Sequence, residues 1–122
     1  MATTVIDNTY LSTKVFYETD LDTGPFLNVS SGACTVYSIN VLNGVGSGTI
    51  NYLKIYDTAE EITTNSTEPD FVIRAGVFDA WITFGSEGLT IVNGLTLRMV
   101  QGEATSSVDD PGANAICEIT YS

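Results

Sequence analysis

Turn-forming residues punctuate this chain every ~8–12 residues, the spacing of short strands in a sandwich or barrel. Ser30-Ser31-Gly32, Asn43-Gly44, Gly85-Ser86-Glu87-Gly88, Asn93-Gly94 and Asp109-Asp110-Pro111-Gly112 all fall between apolar runs. The runs themselves are too short for stable helices and lack the 3.6-residue apolar period. Glycine, threonine, serine and asparagine are abundant, which favours strands and turns over helices.

The pattern predicts strands over residues 12–19, 26–29, 33–42, 49–57, 71–74, 78–84, 89–92, 95–101 and 114–121. The run 33–42 (Ala-Cys-Thr-Val-Tyr-Ser-Ile-Asn-Val-Leu) is the strongest of them. In 49–57, Leu53 and Ile55 alternate with Lys54 and Tyr56, the signature of a half-buried strand. Asn93-Gly94 reads as a two-residue hairpin turn. Residues 58–69 and 102–113 are long polar connections, and Thr58 to Ile62 is read as a single helical turn. The expected fold is all-β: an antiparallel β-sandwich of jelly-roll or Greek-key type with eight to ten short strands, with a closed barrel as the other economical solution. Residues 12–122 form the domain, and residues 1–11, with the apolar pair Val5-Ile6, an N-terminal arm. At 122 residues one core forms without staples, since such a chain buries roughly two-thirds of its unfolded surface.

Charge narrows the partners. Fifteen Asp/Glu oppose four Lys/Arg, a net charge of −11. The four cations, Lys14, Lys54, Arg74 and Arg98, are scattered singly. Nucleic acids and anionic membranes bind clustered cations, so neither is an expected partner. No run approaches the ~20 apolar residues of a membrane helix. Met1 to Asp7 lacks the basic and apolar regions of a secretory leader, so the expectation is assembly in a cytoplasm. The Asn-x-Ser/Thr matches at Asn28 and Asn65 then carry no glycan.

Cys34 and Cys117 have two readings. In a reducing compartment they are buried free thiols. If the strand at 33–42 lies beside the C-terminal strand, they become cross-strand neighbours able to form a disulfide. With two cysteines and no histidine, a structural zinc site is excluded.

Each route to catalysis lacks a part, so no catalytic, cofactor or metal residue is assigned. Asp22-Thr23-Gly24 matches an aspartic-protease triplet, but it follows Glu18-Thr19-Asp20-Leu21 and runs into Pro25, a plain turn. Asp20-x-Asp22-x-Gly24 begins like a calcium loop without the glutamate at position twelve. Solvated turn carboxylates are the default there and at Asp109-Asp110, with weak surface calcium binding as the second reading. Serine and threonine have no histidine base. Gly44-x-Gly46-x-Gly48 opens no helix and has no following Lys-Ser/Thr, so it does not cradle phosphate. Trp81 with Tyr52, Tyr56 and Phe84 is a candidate sugar-stacking platform, although strand aromatics more commonly serve core or subunit contact. Phe78 and Trp81 have opposite parity in a regular strand, which turns one of them outward.

The stretch Ala33 to Leu95 resembles small structural proteins of tailed phages, especially marine and cyanobacterial ones. The likeness rests on Val36-Tyr37-Ser38-Ile39-Asn40-Val41-Leu42-Asn43, on Asn51-Tyr52-Leu53-Lys54-Ile55-Tyr56-Asp57, on Phe71 to Gly76 after a proline loop, and on Gly88 to Leu95. It covers about half the chain and departs at Ile91-Val92, where the pattern has an aromatic residue. It implies a non-enzymatic capsid decoration (cement) protein, a β-sandwich that sits as a homotrimer on the major capsid protein at the outer surface of the virion. No functional residue carries over, because the shared motifs are structural. The competing expectation is a carbohydrate-binding sandwich used in adhesion, or a short tail-fibre or knob module; a hydrolase is the least supported.

Overall fold

The computed structural model describes residues 3–8, 13–19, 26–42, 50–63, 66–75, 80–107, 111 and 115–122. Asp20, Asp22, Gly44 to Gly48, Asn65, Phe78 and Asp109-Asp110 lie outside them. Ten strands and no helix occur among the described residues. They are β1 (Thr3–Asn8), β2 (Thr13–Glu18), β3 (Phe26–Ser30), β4 (Cys34–Leu42), β5 (Asn51–Asp57), β6 (Phe71–Ala75), β7 (Ala80–Thr83), β8 (Leu89–Ile91), β9 (Leu95–Val100) and β10 (Ile116–Tyr121).

These strands make two antiparallel sheets, the all-β sandwich that the turn spacing predicts. The first runs β1-β2-β10-β4-β7, with β8 also on β4; the second runs β3-β9-β5-β6. β7 takes positions 38–41 of β4, and β8 takes 34–36. Residues 1–11, read as an arm, contain β1, which lies along β2 in unbroken register from Thr3↔Glu18 to Asn8↔Thr13.

Alternation along the strands builds the core. Phe16, Cys34, Val36, Ile39, Val41, Cys117, Ile119 and Tyr121 come from the first sheet. Leu53, Ile55, Ile73, Ala75, Leu95, Leu97 and Met99 come from the second, and all are buried. In β4 the buried positions step from 34 and 36 to 39 and 41. A strict period of 2 would turn one of those pairs to solvent. The register shift opposite, between Thr120 and Tyr121, absorbs the extra residue and keeps both pairs inward.

Three expectations need correction. Asn93-Gly94 closes no hairpin: β8 belongs to the first sheet and β9 to the second, so the pair turns a corner between layers. Thr58 to Ile62 is not helical; the turn in this connection falls later, where Thr67 N–H donates to the Thr63 carbonyl at 2.9 Å. β5 is buried on both faces rather than one, because Lys54 and Tyr56 are as enclosed as Leu53 and Ile55.

The cysteines are free. β4 does lie beside β10, but Cys117 faces Val41 while Cys34 faces Ile91. Positions 34 and 41 lie seven residues apart on β4, or about 23 Å at strand rise. A bond between them would need the register to slide by most of the strand.

Candidate binding face

The polar side chains inside this fold hold loops in place. Asp57, at the end of β5, accepts the backbone N–H groups of Val92 (3.1 Å), Asn93 (2.8 Å) and Gly94 (3.4 Å). Its own N–H donates to Asp70 Oδ2 at 2.7 Å. Burial works against its charge, but the N–H groups of Asn93, Val92 and Gly94 outweigh that and hold its carboxyl below the usual range. Gly94 is required for space: a Cβ there would sit 2.9 Å from the Thr58 carbonyl oxygen and 3.0 Å from Ala59.

Lys54 and Arg98 face each other across β5 and β9, on the side of the second sheet away from the core. Residues 101–107 fold back over them. Lys54 Nζ donates to the Ala104 carbonyl, and Arg98 Nη2 to that of Ser107 at 3.1 Å. Arg98 Nε donates to Tyr56 Oη at 2.9 Å. Burial first, and the Arg98 charge second, push the Lys54 amine down. Two of the four cations are thus enclosed; Lys14 and Arg74 are exposed.

The proposed aromatic platform is not assembled. Tyr52 and Tyr56 lie in the second sheet, and Tyr56 is buried against Arg98. Phe84 is half-buried against the core. Trp81 does turn outward, as the parity argument allows for one of the pair, and is 74% exposed. Its neighbours are different residues. Directly paired residues of an antiparallel ladder share a face, and the register places Tyr17 beside Glu118, Glu118 beside Asn40, and Asn40 beside Trp81. Val15, Thr120, Ser38 and Thr83 form the next row. Glu118, Trp81 and Thr83 are exposed, and the others are half-buried.

This outer face of the first sheet is the candidate binding face. Its row spans four strands that are far apart in sequence, so only the parity of Trp81 signalled it in advance. Among the described residues, no group of three or more His, Cys, Asp or Glu side chains is placed to hold a metal. Neither known protein families, curated proteins nor solved structures gave a match to this chain.

Proposed function

We propose that the chain is a non-enzymatic virion structural protein, a decoration protein on the outer surface of a tailed-phage head, seated on the major capsid protein as a symmetric trimer. The observation that carries this reading is the edge formed by β1. Natural edge strands are shortened, bulged, or blocked by Lys and Pro. β7 and β8 follow that rule, since the turn at 84–88 breaks their edge. β1 does not: it runs six residues (TTVIDN), with neither Lys nor Pro and with Asp7 as its one charge. Its register is free of bulges, and Val5 stands 53% exposed. An edge of this kind suits pairing with another chain.

The strand order adds support. We read β2-β10-β4-β7 facing β3-β9-β5-β6 as a jelly roll, an architecture shared by viral capsid and lectin domains. The motifs between Ala33 and Leu95 supply the phage address, and the trimer is the copy number that their resemblance implies.

Size-exclusion chromatography with light scattering tests this. Wild type runs as a trimer that persists in high salt, and Val5→Asp runs as a folded monomer. A wild-type monomer at every concentration refutes the assembly reading, and a trimeric Val5→Asp protein refutes the role of β1. Deletion of β1 is the poorer test, because Thr3 Oγ1 donates to the fully buried Glu18 carboxylate.

A further inference from the structure

We propose that the outer face of the first sheet binds a neutral oligosaccharide, laid across the strands along Tyr17, Glu118, Asn40 and Trp81. The row crosses three strand spacings, about 14 Å, with an aromatic ring at each end. Trp81 is 74% exposed, and Tyr17 stands at the other end on β2. Between them lie a carboxylate and an amide, both planar groups able to make paired hydrogen bonds. The Thr120, Ser38 and Thr83 hydroxyls run alongside.

A sugar ring has the complementary chemistry. Its C–H faces stack on aromatic rings, and its rim of hydroxyls both donates and accepts. Other occupants fit worse. Neither row contains a cation and Glu118 stands in the middle, so an anionic ligand meets repulsion, compounded by the net charge of −11. An apolar partner would desolvate Glu118 and Asn40 without supplying their hydrogen bonds. The surface is an open sheet face, which suits an extended chain of rings.

This inference does not rest on the capsid reading, because it uses a different surface from the β1 edge. The test is a glycan array of neutral and acidic oligosaccharides with the full chain, followed by calorimetric titration of the strongest hit. Wild type selects neutral glycans. Trp81→Ala, at an exposed site that leaves the melting temperature unchanged, weakens binding about tenfold or more. Asn40→Ala weakens it as well, and Val5→Asp leaves the affinity per protomer unchanged. Absence of any neutral hit overturns the inference, as does binding indifferent to Trp81→Ala or a preference for acidic glycans. Loss of self-association in Trp81→Ala also overturns it and assigns the face to a second copy. The glycan-binding outcomes leave the prediction made for Val5→Asp untouched.

Discussion

Replacing Asp57 by alanine removes the acceptor for three backbone N–H groups at the corner where the chain leaves the first sheet for the second. The arrangement does for residues 92–94 what an N-cap carboxylate does for a helix, where substitution by alanine costs ~0.5–2 kcal/mol. One of the three bonds is long at 3.4 Å, and Asp57 is half-exposed, so water replaces part of what is lost. About 1–2 kcal/mol is the expected loss near pH 7. For a domain of this size that lowers the melting temperature by about 4–8 °C. The pH dependence gives a second handle. The folded carboxyl titrates below its unfolded value, so its contribution is complete above the unfolded pKa, near 4, and disappears as pH falls through the folded one. Thermal melts of wild type and Asp57→Ala should therefore differ at about pH 7 and converge in acid below the folded pKa. Equal melting temperatures near neutrality, or a gap unchanged in acid, would refute the reasoning.

Three further outcomes follow from the packing. Gly94→Ala forces a Cβ to within 2.9–3.0 Å of backbone at Thr58 and Ala59, and denaturant unfolding should show a loss of ~1–3 kcal/mol. Cys34 and Cys117 are buried and free, and burial pushes both thiols up; a thiol reagent should react with neither in the native protein and with both after unfolding, whereas a disulfide would leave none. Lys54→Met removes a buried cation that faces Arg98, so stability should stay level or rise by about 1 kcal/mol. Because the folded Lys54 holds its proton less firmly than the unfolded one, wild-type stability should climb as pH approaches the usual lysine range, and the variant should lack that climb.

The sequence displayed the strands more clearly than their arrangement. Period-2 alternation and turn chemistry are local, and they marked β4, β5 and β9 within a residue or two. The same local signal misread Asn93-Gly94, because a turn residue records that the chain reverses and not whether the flanking strands pair. Lys54 and Tyr56 looked solvent-facing since alternation reports one face only; the cover over them comes from residues 101–107, about fifty positions on. The candidate face was half legible for a related reason. Trp81 could be turned outward by parity, but Tyr17, Asn40 and Glu118 join it only through strand order, and strand order placed Tyr52 and Tyr56 in the other sheet. The cysteines show the same limit: adjacency of their strands was foreseeable, and the register that separates them was not.

The proposed role is assembly of this small acidic sandwich onto a larger shell. Co-sedimentation with heads assembled from the major capsid protein of the same genome measures it most directly. The account predicts saturable binding, in multiples of three copies per site, that Val5→Asp abolishes and added salt does not. Wild-type chain that stays in the supernatant at every concentration would contradict it.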